Sequence, residues 1–200
     1  AAQIHALGHQ FRPVEATRLT DDQLLGLSVS SPDVLEETIP FALENGFDML
    51  LLDGSRGLGT PWAELSGEPD LTILRNAVTI LRRLRREEEI DLVFFGGVRS
   101  GTDTAKLIAM GSMAVILGVI LDLAVGGEIN ANHEMQFAAD RSDAERAEAV
   151  ANILTASAQE ASMMARCTGK TNLHNVEPED LRAISKATAE ATGIPLAGTL

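Results

Sequence analysis

The stretch VFFGGVRSGTDTAKLIAMGSMAVILGV, Val93–Val119, holds two apolar runs separated by a glycine pair and a short helical pattern. The runs Ile90–Gly97 and Met113–Val119 each have the length and composition of a strand. Between them the pattern predicts a helix over Thr102–Met110, ended by Gly111. Strand, helix and strand at this spacing are typical of a βαβ unit, whose strands lie parallel in one sheet.

Upstream of this stretch the same alternation continues. A strand is predicted at Leu24–Ser30 from its alternating pattern. The continuous apolar run Phe47–Ser55 indicates a strand buried on both faces, as in a parallel sheet. A helix begins at Ser31-Pro32 and ends at Asn45-Gly46, with a kink or break expected at Pro40. A second helix, over Asp70–Arg86, leads into the quoted stretch.

The chain is predicted to have three parts. Residues 1–22 form an irregular arm, residues 23–125 form the α/β unit, and residues 126–200 form a helical C-terminal extension. No strand is expected after Val119, whereas helices are predicted at 143–165 and at Pro178–Thr192. The two late helices suit either a partner surface or a solvated helical tail.

Composition excludes several classes of function. The 200 residues carry a net charge of −13, which argues against nucleic acid or an anionic membrane as the main partner. No run approaches the ~20 apolar residues of a membrane span, and no signal peptide is visible at the first residue, Ala1. The single cysteine, Cys167, excludes an internal disulfide and suits a cytoplasmic protein.

Two glycine turns form the candidate binding site. The carboxyl ends of parallel strands meet at one edge of a sheet, and there the strands end in Gly96-Gly97 and Gly118-Val119. Glycines let backbone N–H groups approach a ligand, and the helix starting at Ser100–Thr102 favours an anion. The spacing favours one phosphate held between the two turns, while tight βα turns alone are the alternative. Arg99 either contacts the ligand or lies in solvent beside Asp103.

The segments LLLDGSRGLGTPWAEL and GGVRSGTDTAKLIAMGSMAVILGV resemble the FMN-binding domain of the glutamate synthase family. The C-terminal segment SMMARCTGKTNLHNVEPEDLRAIS resembles the tail of a glutamate-synthase-like subfamily. That subfamily includes the FMN subunit of N-methylglutamate synthase, a methylamine–glutamate N-methyltransferase. The resemblance implies bound FMN and the C-terminal half of a (β/α)8 TIM barrel with extra C-terminal helices. About four barrel strands would lie in this chain, and the first half of the barrel would lie elsewhere.

The resemblance also implies which residues contact the flavin. The phosphate would be held by the two turns, and the flavin ring would lie over the loop from Asp53 to Gly59. The implied cofactor-binding residues are Gly54, Ser55, Gly57, Gly59, Gly96, Gly97, Val98, Arg99, Gly118 and Val119. The implied catalytic residues are Asp53, Arg56 and Glu68. From its position alone, Asp53 either fixes the loop backbone or bonds a substrate amine.

Two departures from the family pattern matter. The lysine that the family places near the flavin pyrimidine falls at about Ser28, so stabilisation of an anionic reduced flavin requires either a different register or substitution by Arg56. The closely spaced cysteines of a [3Fe–4S] cluster are also missing, because ILDLAVGGEINANHE contains no cysteine. No metal site is predicted, since Cys167 and His174 alone are too few ligands for zinc.

Three functions remain open at this stage. The first is an FMN-dependent subunit that forms N-methylglutamate from methylamine and glutamate, or glutamate from 2-oxoglutarate. Its expected partners are a glutaminase-type subunit, because Ala1 is not a cysteine nucleophile, and other subunits of a hetero-oligomer. The second is a non-redox phosphate-binding scaffold. The third, an inosinate-dehydrogenase relative, needs a cysteine after a barrel strand, and Cys167 lies too far along the chain.

Overall fold

The computed structural model describes residues 5–6, 17–55, 61–137 and 140–199. Among these residues there are seven strands: β1 His5–Ala6, β2 Gly26–Val29, β3 Met49–Asp53, β4 Asp91–Phe95, β5 Ala114–Ile116, β6 Gly127–Ile129 and β7 Met135–Phe137. The α-helices are α1 Leu35–Glu44, α2 Pro61–Ser66, α3 Thr72–Leu84, α4 Gly101–Ala109, α5 Val119–Ala124, α6 Asp143–Cys167 and α7 Lys186–Thr192. Short 3₁₀ helices lie at Pro32–Val34, Leu173–Asn175 and Pro178–Asp180.

The centre of the molecule is a five-stranded parallel sheet in the order β1-β2-β3-β4-β5. Neighbouring strands are in register, with Ser28 opposite Leu51, Leu51 opposite Val93, and Val93 opposite Ala114. Strand order follows chain order, and α1, α3 and α4 connect the successive strands from β2 to β5. The predicted α/β class with a parallel sheet is therefore confirmed.

The two faces of this sheet differ in burial. On the covered face, Leu50, Leu52 and Phe94 are fully buried in a core shared with α1 and α3. On the opposite face, the side chains of β3 and β4 are half-buried at best, and Ile116 of β5 is 37% exposed. Burial on both faces was predicted, and this is wrong for β3 and β4, because on the second face their side chains keep partial contact with water.

The helices begin and end largely where the sequence predicts. Ser31 Oγ accepts a hydrogen bond from the amide of Asp33 at the start of the first helical segment. Asn45 terminates α1. The break expected at Pro40 does not occur, since α1 runs continuously past it. The capping box between Ser142 and Glu145 fixes the start of α6.

Three segments differ from the prediction. The arm predicted to be irregular contributes β1, which pairs with β2. Strands do not stop at Val119, because β6 and β7 form an antiparallel pair before α6. The helix expected over Pro178–Thr192 is divided, since Ala183 leaves it to pair with Leu196 and α7 begins only after Ser185.

Helix α6 packs very closely on the beginning of α4. A Cβ on Gly101 would overlap the carbonyl oxygen of Ser157 and lie 2.7 Å from the amide nitrogen of Ala161. Ala161 itself is buried in this contact. Only glycine at position 101 therefore allows the two helix backbones to approach so closely.

We expect Gly101→Ala to destabilise the protein by about 1–3 kcal/mol, because the added methyl group forces α6 away from α4. Urea unfolding followed by circular dichroism measures this loss. Gln159→Ala, at an exposed position of α6, is the control and should change stability by less than about 0.5 kcal/mol. Equal stabilities of wild type and Gly101→Ala would contradict the tight contact.

Candidate functional site

The loops with unusual composition meet at the edge where β3, β4 and β5 end, called here the C-terminal edge. Asp53 pairs in register with Phe95, and Phe95 with Ile116. The turns containing Gly97 and Gly118 each begin within two residues of these partners. They are therefore neighbours in space, as the sequence predicts.

The glycine pair after β4 has left-handed backbone conformations, with φ of +108° at Gly96 and +67° at Gly97. A Cβ on Gly96 would lie 2.7 Å from the amide nitrogen of Ser55, and one on Gly97 would lie 3.2 Å from the Pro69 ring. Both glycines are thus required by the turn and by contacts within the protein, as the tight-turn alternative proposes.

The amides of this turn nevertheless have the properties of a binding site. Gly97 is buried and Val98 is only 1% exposed. Within the described residues, no oxygen accepts a hydrogen bond from either backbone N–H group. Buried amides without an acceptor are rare in folded proteins, so these two donors are suited to an added acceptor.

The start of the loop after β3, Gly54 and Ser55, is held in place by hydrogen bonds. Asp53 Oδ1 accepts a hydrogen bond of 2.9 Å from the amide of Ser55. Gly54 donates to the Phe95 carbonyl at 2.8 Å and accepts from the Asp70 amide at 2.6 Å. Of the two roles considered for Asp53, the structure shows loop fixation. The predicted residues Arg56, Gly57 and Gly59 lie outside the described residues.

Glu64, which the sequence analysis did not select, lies at the second glycine turn. Its Oε1 accepts a 3.2 Å hydrogen bond from the amide of Val119, and a Cβ on Gly118 would overlap the same oxygen. Burial raises the pKa of Glu64, the bond from Val119 partly offsets this, and the Asp122 and Asp53 carboxylates raise the pKa further. A carboxylate thus occupies one half of the predicted phosphate position.

The first turn of α4 is also occupied. Gly101 N–H donates to Glu160 Oε2 at 2.9 Å, and the Thr102 hydroxyl donates to the other oxygen of Glu160. The Asp103 amide donates to Ser100 Oγ at 3.2 Å. The expectation that the N–H groups of this turn are available to an anion is therefore wrong, because Glu160 of α6 and the Ser100 cap accept from them.

Arg99 and Glu68 lie beside the Gly96-Gly97 turn. Arg99 Nη1 donates to the Leu65 carbonyl at 2.8 Å, and its Nε lies 3.7 Å from an oxygen of Asp103, so it takes the position beside Asp103. Glu68 is exposed. Both residues line a groove of about 470 Å³ between α4 and α7, together with Gly96, Gly97 and Lys106.

The remaining candidates lie away from the C-terminal edge. Cys167 is exposed at the end of α6, and His174 Nε2 lies 3.1 Å from the carbonyl oxygen of Met113 before β5. Ser28, where the family pattern has lysine, is buried in β2. In the part of the chain that the structure covers, no group of three His, Cys, Asp or Glu residues could hold a metal ion. No described helix is long and apolar enough to cross a membrane.

Comparison with known proteins identifies the family. A profile of the conserved region in glutamate synthase matches residues 24–171. The chain belongs to the glutamate synthase family. A glutamate synthase large subunit-like protein of Rhizobium meliloti (strain 1021) is 35% identical over an alignment covering 79% of the chain and 43% of that relative. The chain therefore spans about two fifths of the length of this family member.

Solved structures share the fold of this glutamate synthase family chain. The L230A mutant of flavocytochrome b2 with benzoylformate has a TM-score of 0.57 at 22% identity, covering 86% of the chain and 38% of that structure. The recombinant flavin-binding domain of baker's yeast flavocytochrome b2 has a TM-score of 0.51 at 17% identity, and the match covers 87% of the chain and 41% of that structure. At these identities the likeness concerns the fold alone.

The stability of the fold depends on pH through the ionisation of Glu160. The hydrogen bond from Thr102 lowers the pKa of Glu160, and bonds from the Gly101 and Thr102 amides add to this against a burial effect that raises it. A lowered carboxyl pKa stabilises the fold above the unfolded-state pKa, and this stabilisation is lost as pH falls through the folded-state pKa.

We expect wild type to have a higher melting temperature than Glu160→Gln at about pH 7, and the difference to shrink as the pH is lowered from there past about 4.3, the ordinary pKa of a glutamate side chain. Differential scanning fluorimetry across this range measures it. Glu148→Gln, at an exposed position of α6, is the control and should follow wild type at every pH. A constant difference between Glu160→Gln and wild type would show that the charge of Glu160 does not matter.

Proposed function

We propose that this chain is the FMN-binding part of a glutamate-synthase-like flavoenzyme. The observation that carries the proposal is the juxtaposition of the Gly97 and Gly118 turns at the C-terminal edge, within the region conserved in glutamate synthase. The flavin phosphate lies between the two turns, and the ring lies over the loop that begins at Asp53.

The described residues fit a phosphate at this position. The buried amides of Gly97 and Val98 are two donors without an acceptor in the described part of the chain, and the Val119 amide is a third donor that already binds a carboxylate oxygen. Gly118 leaves room for an oxygen directly against its Cα. Donors of this kind surround phosphates in many α/β proteins.

In such a site the protein binds and orients the cofactor, and FMN, when bound, supplies the redox chemistry. Asp53 holds the loop beneath the ring through the Ser55 amide. Asp53, Glu68 and Arg56 stay as proposed catalytic residues, and Ser55, Gly54, Gly57, Gly59 and Arg99 as proposed cofactor contacts. Since β2 carries Ser28 in place of lysine, a positive charge near the flavin pyrimidine has to come from Arg56 or from outside this chain.

A complete (β/α)8 barrel is part of the proposal. The chain supplies strands β2 to β5 as its second half, with β1 beside them. The half-exposed apolar face becomes the barrel interior, and the edge of β5 pairs with the first barrel strand. The coverage of 43% of the R. meliloti relative supports this, because a family member contains more than another chain length of sequence.

The finer assignment is N-methylglutamate formation from methylamine and glutamate, with a glutaminase-type subunit in a cytoplasmic hetero-oligomer. It is supported by the C-terminal segment from Ser162 to Ser185, which resembles that subfamily. Glutamate synthesis from 2-oxoglutarate is the second candidate, favoured by the match to the conserved glutamate synthase region. A phosphate-binding scaffold without redox activity is the third, favoured by the serine at position 28.

The visible spectrum tests the proposal. We expect the complete protein, purified with its natural partners, to show flavin absorbance bands and to release FMN on denaturation. Assays with methylamine plus glutamate and with 2-oxoglutarate plus glutamine then separate the first two candidates. A colourless, fully assembled complex would exclude a flavoenzyme and leave the scaffold.

Gly97→Asp tests the position of the phosphate. We expect Gly97→Asp to weaken FMN binding at least about tenfold more than Gly97→Asn, because only the carboxylate repels the phosphate. Asn is the matched control, since both side chains have similar size and both tolerate a left-handed backbone. Fluorescence titration with FMN measures the dissociation constants, and equal values for the two variants would place the phosphate elsewhere.

A further inference from the structure

The Glu64 contact, defined as the Glu64 carboxylate with Gly118 and the Val119 amide, has an unusual environment for an ionised side chain. Its described hydrogen-bond donor is a single backbone N–H group at 3.2 Å. Among the described residues, the charged groups that act on it are the carboxylates of Asp122, on α5, and Asp53, at the end of β3. A negative side chain is thus held by one long hydrogen bond between two other negative side chains.

The helix that carries Glu64 is positioned independently of this contact. Arg99 Nη1 donates to the carbonyl of Leu65, which ties α2 to the loop after β4. The Trp62 ring stacks on His133 with centroids 5.8 Å apart, which ties α2 to the loop between β6 and β7. The Glu64 side chain can therefore leave the turn by rotation, while α2 stays in place.

The position that Glu64 occupies is suited to an anion. The atom packed against the Gly118 Cα is a carboxylate oxygen, and the neighbouring Gly97 and Val98 amides have no acceptor among the described residues. A phosphate has three terminal oxygens and can accept from the donors of both turns, whereas the Glu64 carboxylate accepts only from Val119. The two anions cannot occupy the Gly118 turn together.

We infer that Glu64 is an internal competitor of the cofactor phosphate: its carboxylate binds the Gly118 turn in the empty protein and has to leave before a phosphate group binds. This inference rests on the proposed function, and it adds a control on cofactor loading to it. Glu64 lowers the affinity for the phosphate end of FMN and has no effect on the ring.

Protonation of Glu64 should weaken the competition. Burial and the nearby carboxylates of Asp122 and Asp53 raise the pKa of Glu64, so its charge is lost at a higher pH than for an ordinary glutamate. As pH falls through this raised pKa, the protonated carboxyl no longer repels the phosphate. Cofactor loading is therefore favoured on the acidic side.

The test uses the complete protein stripped of flavin, in wild type, Glu64→Gln and Glu88→Gln. Glu88 is exposed in the turn before β4, at the opposite edge of the sheet, so its variant is matched in charge and chemistry. FMN and riboflavin, which lacks the phosphate, are titrated by flavin fluorescence. Glu64→Ala is measured in parallel, and thermal unfolding confirms that each variant is folded.

We expect Glu64→Gln and Glu64→Ala to bind FMN about tenfold more tightly than wild type, and Glu88→Gln to bind like wild type. Riboflavin should bind equally to all four proteins. The ratio of the FMN dissociation constants of wild type and Glu64→Gln should fall toward one as pH is lowered. This ratio cancels the titration of the phosphate itself.

Two results overturn the inference and leave the proposed function intact. They are equal FMN affinities of wild type and both Glu64 variants, and a gain for riboflavin that matches the gain for FMN. Failure of every folded variant to bind either flavin overturns the proposed function, and the inference with it. Amide NMR gives a readout without flavin, because the Val119 resonance should shift with the titration of Glu64.

Discussion

Packing of the Phe94 ring beneath Gly54 determines how the loops of the C-terminal edge meet. Phe94 is fully buried, and a Cβ on Gly54 would lie 2.9 Å from its Cε2 atom. The backbone of Gly54 can therefore lie directly over β4, where it bonds to the carbonyl of Phe95 and to the amide of Asp70. Through these two hydrogen bonds, Gly54 connects the end of β3 to β4 and to the segment that leads into α3. The positions of Asp53 and of the Gly96-Gly97 turn follow from this contact.

The central part of the fold could be predicted because its signals are local. Apolar runs bounded by glycine mark β3, β4 and β5, and cap residues such as Ser31 and Ser100 mark the helix starts. The β6–β7 pair has three-residue strands, and its turn uses His133 with a φ of +64°, a residue without a turn signal. The division of the Pro178–Thr192 segment depends on the pairing of Ala183 with Leu196, which no local pattern reports.

The candidate site shows the same difference between features with a local sequence signal and features that depend on contacts distant in sequence. The glycine turns could be located from sequence because parallel strands bring their carboxyl ends together. The carboxylates that occupy these turns could not be predicted from sequence. Glu64 binds the amide of Val119, 55 positions along the chain, and Glu160 binds the amide of Gly101, 59 positions away. In the sequence, Glu64 is marked only as an acidic residue that follows Pro61-Trp62 closely. Glu68 fits the same description, so the sequence does not distinguish the two. Burial separates the two acids, and burial is a property of the folded chain.

The uneven sheet has a consequence for biogenesis. Aliphatic side chains on the half-exposed face, such as Leu51, Val93 and Ile116, keep contact with water in the folded chain. During synthesis such a surface is a binding site for chaperones and makes the chain prone to aggregate.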